Sequence, residues 1–219
     1  MLRYDDRFKD APWYTNSKND SIIIVGAGGI GSNLTYCLGK STLSPIYIID
    51  SDKVEAANVG CQFFNTDQVD QTKVSAVHET MKKHNIFIKT IVSKYAGENL
   101  PIIISAVDNM KTRKQIFDVW RSKDSRELLL DGRLRANYYE VYAVVPGKEE
   151  EYEKTLFSDS EVAEGPCTFK QTAYFGMLIG ARITQIIVNY LTNKYAEEPL
   201  CNVPFKVSEF GEPFSFEIS

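Results

Sequence analysis

Short apolar runs rich in β-branched residues recur along the chain, separated by stretches of helical spacing. The runs are "SIIIV" (21–25), "PIYIID" (45–50), "IFIKTIV" (86–92), "PIIISAV" (101–107) and "ELLLDG" (127–132). Residues 30–40, 67–84 and 109–122 carry the helical pattern, and in the second of these Val69, Val74, Val77 and Met81 fall on one face. Strands that alternate with helices predict a doubly wound α/β fold, a mostly parallel sheet covered by helices.

The pattern changes after residue 132. "NYYEVYAVVPG" (137–147) predicts one more strand, ended by Pro146 and Gly147. Residues 148–168 are polar and acidic with no clear period. They read as a solvated loop whose length suits a lid or crossover connection. Residues 169–193 are apolar nearly all round, with Gly176 and Gly180 four apart, which predicts a helix buried against the sheet or against a second copy of itself. The tail "PFKVSEFGEPFSFEIS" predicts a hairpin around Gly211. All 219 residues are read as a single domain, with residues 1–20 as an N-terminal arm.

Composition narrows the partners. A net charge of -4 supplies no basic stripe for phosphodiester backbones, so nucleic acid is not expected. No segment has the uncharged apolar length of a membrane span, and the charged, aromatic start lacks the apolar core of a signal peptide. Cys37, Cys61, Cys167 and Cys201 stand apart without a CxxC pair. They read as free thiols of a cytoplasmic protein, with no ligand set for zinc.

The clearest chemical signal is "IIIVGAGGIGS". Gly26, Gly28 and Gly31, with Gly29 between them, form GxGxxG after a strand and at the opening of a helix. There the backbone can turn tightly and offer amides to a phosphate. Asp50, ending the second strand, is placed to take a ribose hydroxyl. Taken alone, this Rossmann-like pattern favours a dinucleotide.

The residues around it reverse that preference. Asp52, Asn58 and Gln62 follow Asp50, the next helix contains Lys73, and "SAVDNMKTR" sets Asp108 and Asn109 after the fourth strand. A lysine, an amide-rich loop and an edge aspartate suit a triphosphate with Mg²⁺, which prefers one or two carboxylates plus phosphate oxygens. A lysine can offset charge that builds on a phosphate during displacement.

These pieces together resemble the ThiF/MoeB adenylyltransferase superfamily, which includes the ubiquitin-activating enzymes. "VGAGGIGS" matches its glycine loop, "DSDKVEAANVGCQFF" its DxDxVxxSNLxRQ, Lys73 its GxxK lysine and "VDNMKTR" its (T/D)DNxxxR. "GMLIGARITQIIVNYLT" resembles the late family helix near the dimer interface, and "MLRY" the family opening. The resemblance implies ATP and Mg²⁺ as cofactors for converting a carboxylate into an acyl-adenylate. The usual substrate is the C-terminus of a ubiquitin-like or sulfur-carrier protein, and the usual assembly a homodimer. It implies that Asp50 holds the ribose, that Asn58, Gln62 and Lys73 contact phosphates, that Asp108 organises the metal, and that Asn109 and Arg113 shape the pocket.

The chain departs from that pattern twice. Where the family has arginine before glutamine, it has Cys61, preceded by Gly60. Arginines in comparable roles are worth roughly 10³–10⁵ in rate, so a nucleotide-binding pseudoenzyme stands as a second reading. Arg3, Arg7, Arg133 and Arg135 are candidate replacements. The paired CxxC motifs of zinc-holding relatives are also missing, and "GPCTFKQT" resembles compact forms carried by phages and mobile elements. Cys167 in that segment reads either as a nucleophile toward an acyl-adenylate or as packing before a helix.

His78 and His84 read as solvated or capping residues, Tyr138, Tyr139 and Tyr142 as strand packing, and Arg182 as a satisfied ion. A NAD-dependent oxidoreductase is a third reading, resting on GxGxxG and Asp50 alone.

Overall fold

Eight strands form one sheet in the computed structural model, which describes residues 7–135, 138–158, 172–211 and 214–219. Strands β1 (Ile22–Val25), β2 (Ile46–Ile49), β3 (Ile88–Ile91), β4 (Ile102–Ser105) and β5 (Leu128–Arg135) are parallel. They are followed by antiparallel β6 (Tyr138–Val144), β7 (Lys206–Phe210) and β8 (Ser215–Ile218). The order β3-β2-β1-β4-β5-β6-β7-β8 reverses direction between β1 and β4. That reversal opens a crevice at the carboxyl ends of the strands.

The helices are α1 (Pro12–Asn16), α2 (Gly29–Ser41), α3 (Ala56–Val59), α4 (Lys73–Lys83), α5 (Met110–Arg121), α6 (Glu149–Glu153) and α7 (Ala173–Tyr195). The apolar runs are explained by burial on both faces of the sheet. Along β1, Ile22 and Ile24 pack under α2, α4 and α7, while Ile23 and Val25 join Phe117, Trp120 and Tyr152 beneath α5 and α6. Side chains that alternate across a strand leave no polar position when both faces are covered.

The doubly wound α/β fold, the late helix and the terminal hairpin are as the sequence predicts. Two boundaries differ. The helix expected over 67–84 begins only at Lys73. Before it the chain makes a 3-10 turn, Thr66–Gln68, and Asp70 takes a positive φ of 71°. Val69, with φ -57° and ψ 139°, is therefore outside the helix and half-buried. The stretch expected to be a loop over 148–168 contains α6, because Tyr152 needs burial: it lies fully covered, 4.9 Å from the Phe117 ring. Residues 159–168 of that stretch lie outside the described residues.

The late helix packs on α2, and the packing is unusually close. A Cβ on Gly176 would stand 2.7 Å from the carbonyl oxygen of Gly29, and one on Gly180 would stand 2.9 Å from the Leu34 amide. The two glycines let α7 settle against the first turns of α2 at a separation no larger residue allows. Helix α1 and Asp20 of the N-terminal arm lie against this helix too. Asp20 accepts from Lys194 Nζ and from Tyr195 Oη, both at 2.6 Å, and Lys194 also reaches Glu127 at 2.6 Å. Arg182 lies 4.5 Å from the Phe216 ring and donates to Gln185.

Candidate nucleotide site

The crevice at the strand ends holds a cavity of about 860 Å³. Its floor is the turn between β1 and α2. Gly26 has φ 102° and passes beneath Ala106, whose carbonyl oxygen would lie 2.5 Å from any added Cβ. Gly31 sits where a Cβ would collide with the Gly26 carbonyl. Only glycine meets both demands, so the turn is the tightest connection the strand and helix can make. Gly28 and Gly29 line the cavity, and Gly28, as N-cap, offers no side chain to the first amides of α2. Those amides and the helix dipole favour an anion there.

Asp50 braces this turn. Its Oδ2 accepts from the Ala27 amide and its Oδ1 from the Asp52 amide, each at 2.7 Å. Each oxygen retains a further lone pair that can accept from a hydroxyl in the cavity. Asp52 has a partner of its own in Lys73, whose Nζ lies 3.0 Å from Asp52 Oδ2 at the start of α4. Gln62 and Lys73 line the cavity with them, and Gln62 Nε2 lies 4.0 Å from the Cβ position of Gly28.

Asp108 follows β4 on the opposite wall and is exposed to the cavity. Asn109 is the N-cap of α5: its Oδ1 accepts from the Thr112 amide at 2.8 Å, and its Nδ2 points to Asp108 Oδ1 at 3.2 Å. Arg113 is buried behind the same wall. It donates to Asp131, to the Gly132 carbonyl at 3.2 Å and to the Val107 carbonyl at 2.7 Å. Asn58 stands apart from the cavity lining, with Oδ1 accepting from the Glu55 amide at 2.9 Å to close the capping box of α3. Cys61 is half-buried, its thiol directed to the Ala57 carbonyl at 3.6 Å.

The far end of the cavity is lined by Arg133, Arg135, Tyr138, Glu140 and Phe157. Arg133 is fixed by Asp131 and Thr155, and burial, which pushes its pKa down, is outweighed by Asp131 and two neighbouring tyrosines, which hold it up. Tyr95, also on the lining, has its hydroxyl pushed up to about 12 by burial and then by Glu98. Arg7 lies in an exposed turn before α1. Arg3 and Cys167 lie outside the described residues. Sequence reasoning missed the Asp131 cluster and the Lys73–Asp52 pair. The first had one visible sign, an acid inside the apolar run "LLLDGR".

Among the described residues no group of three or more His, Cys, Asp or Glu converges on one point. Asp108 alone faces the cavity from β4, a donor set that fits a metal completing its shell with ligand oxygens.

A family model described as "ThiF family" matches residues 10–215. The chain belongs to the ThiF family. It is similar to ubiquitin-like modifier-activating enzyme 5 of Dictyostelium discoideum, 32% identical over an alignment of 124 residues that covers 47% of this chain and 32% of that protein. It is also similar to adenylyltransferase and sulfurtransferase MOCS3 of Caenorhabditis briggsae, 33% identical over 48% of this chain and 28% of that protein. The chain therefore spans about a third of the length of these relatives. Among solved structures, E. coli MccB superposes with a TM-score of 0.76 at 17% identity, covering 100% of this chain and 69% of MccB. E. coli MccB with AMPCPP and MccA superposes with a TM-score of 0.71 at 19% identity, covering 94% of this chain and 64% of MccB. These structures share the fold. No helix of the described residues is long and apolar enough to cross a membrane.

Proposed function

We propose that this ThiF-family chain adenylates a carboxylate with ATP and Mg²⁺, and that the carboxylate is the C-terminus of a protein or peptide. One observation carries the reading: the glycine turn, Asp50, Lys73 and Asp108, from four separate parts of the sequence, line one cavity at the switch point of the sheet. The amides at the start of α2 bind the phosphates, Asp50 accepts from the ribose while it braces the turn, and Lys73 and Gln62 neutralise and orient the phosphate chain. Asp108 would hold Mg²⁺, which would screen the charge that develops on the phosphates. Asn109 keeps the Asp108 carboxylate oriented, and Arg113 keeps its loop in place from behind.

The similarity to a ubiquitin-like modifier-activating enzyme and to the adenylyltransferase MOCS3 supports a macromolecular substrate, as does the likeness in fold to MccB with AMPCPP and MccA. A homodimer is part of the proposal. Tyr174, Met177 and Leu178 leave an apolar face exposed at the start of α7, and such a face suits a second copy.

The test is exchange of labelled pyrophosphate into ATP in the presence of glycine-ended peptides and of candidate small proteins. Exchange that depends on the carboxylate and falls at least about 100-fold in Asp108→Ala is expected. Absence of exchange with every such acceptor defeats the enzymatic reading. Cys61 favours one alternative, a protein that binds ATP without turning it over. Single-turnover mixing that yields AMP removes that alternative.

A further inference from the structure

One fully buried acid takes no direct part in the cavity surface. Asp131 lies on β5 in register with Ser105, the last residue of β4, and is 0% exposed. Its two oxygens hold different partners. Oδ1 accepts from Arg113 Nη1, while Oδ2 accepts from Arg133 Nε at 2.8 Å and from Tyr152 Oη at 3.0 Å. Arg113 turns its Nη2 to the Val107 carbonyl at 2.7 Å, the residue immediately before Asp108. Arg133 reaches the other way. It donates to the carbonyl and the hydroxyl of Thr155, each at 2.9 Å, and its guanidinium lies 4.4 Å from the centre of the Tyr142 ring. One carboxylate thus joins the loop that delivers Asp108 to the segment after α6, whose Phe157 lines the same cavity.

The charges do not balance within this cluster. Glu140 lies across the strands from Arg133, but Lys206 already holds it at 2.5 Å. Among the described residues, Arg113, Arg133 and Lys206 form their ion pairs with Asp131 and Glu140, three cations on two carboxylates. A partly buried cluster with a cation in excess is unfavourable until an anion completes it, and Arg133 lies on the cavity wall where such an anion would come.

We propose that Asp131 is a positioning residue of the cavity: it fixes the Asp108 loop through Arg113 and presents Arg133, in a set orientation, to the anion bound there. The identity of that anion as Mg·ATP rests on the function proposed above; the positioning itself does not. Arg133 would then contribute cationic character that the loop at Gly60 and Cys61 lacks. Thr155 and Tyr142 hold its guanidinium flat, so little orientation has to be lost on binding.

Two measurements test this with the intact chain. Asp131→Asn keeps the side-chain volume and removes the charge. Hydrogen exchange without ligand is expected to quicken at least about tenfold in peptides covering 104–112 and 150–158 together, with α2 and α4 unchanged. Change in one segment alone, or evenly across the sheet, overturns the proposal. Calorimetric titration of Mg·ATP into wild type, Asp131→Asn, Arg133→Met and the double variant gives the second measurement. Each single variant is expected to weaken binding about tenfold, and the double variant to lose clearly less than the two losses combined, because in the Arg133→Met background only the Arg113 arm of Asp131 remains to be lost. Losses that add overturn the route through Arg133. If the wild type takes up no Mg·ATP, the nucleotide assignment falls, and hydrogen exchange alone decides the role of Asp131.

Discussion

Lys73 is latched to Asp52 twice, by its ammonium at 3.0 Å and by its backbone amide, which donates to the Asp52 carbonyl at 2.8 Å. The arrangement gives the second acid of "DSD" a purpose. It holds the lysine at the mouth of the cavity before any ligand arrives. Asp52 is itself 65% exposed, and an ion pair so open to water adds little to stability. Asp52→Asn is expected to change the unfolding free energy by under about 0.5 kcal/mol in urea titrations. Lys73→Met is expected to lower pyrophosphate exchange about 100-fold, the size of one lost charge-assisted hydrogen bond.

Asp50 should behave differently under the same change. Both its oxygens accept from backbone amides, Ala27 and Asp52. Asparagine would present an NH₂ to one of those donors. Asp50→Asn is expected to destabilise the fold by about 1–3 kcal/mol. Equal midpoints for Asp50→Asn and Asp52→Asn in parallel urea titrations would contradict the bracing role.

Crowding at the crossing of α2 and α7 gives a third expectation. Alanine at Gly180 would meet the Leu34 backbone at 2.9 Å, whereas alanine at Gly60 would meet nothing within 4 Å. Gly180→Ala is expected to cost about 1–3 kcal/mol through overpacking, read as a fall of several degrees in Tm. Gly60→Ala is expected to leave Tm unchanged.

At the opposite end of the sheet, Lys194 sets a pH dependence. Burial pushes its pKa down, but Asp20 and Glu127 outweigh burial and raise it above its ordinary value. A raised folded-state pKa stabilises fully below the unfolded value and loses that contribution as pH rises through the folded one. The advantage of wild type over Lys194→Met is therefore expected to stay level up to about pH 10 and then to decline. Unfolding titrations between pH 7 and 11.5 would show it, and an advantage that grows above pH 10 would refute it.

The strands and the late helix were legible because each is a long apolar signal with one period. The start of α4 was not, since Val69 sits at helical spacing from Val74 while Asp70, with its positive φ, ends any helix between them. The short α6 was hidden by the acids "EEEYE", whose single apolar member, Tyr152, carries the burial. In the site, Gly26, Asp50, Lys73 and Asp108 could be grouped because each follows or opens an element at the same sheet edge. Asn58 also lies between β2 and α4, but on the short α3, where its side-chain oxygen closes a local capping box instead of facing the cavity. Which of several polar side chains in a loop turns inward depends on local hydrogen bonds that spacing does not encode.

The close approach of Gly176 to the Gly29 carbonyl leaves the glycine turn after β1 backed by a 23-residue helix. A support of that length works as a buttress, and a buttressed turn has no room to swing away as a ligand enters. The Phe157 rim across the opening follows the five-residue α6, so the two sides of the crevice rest on supports of very different length.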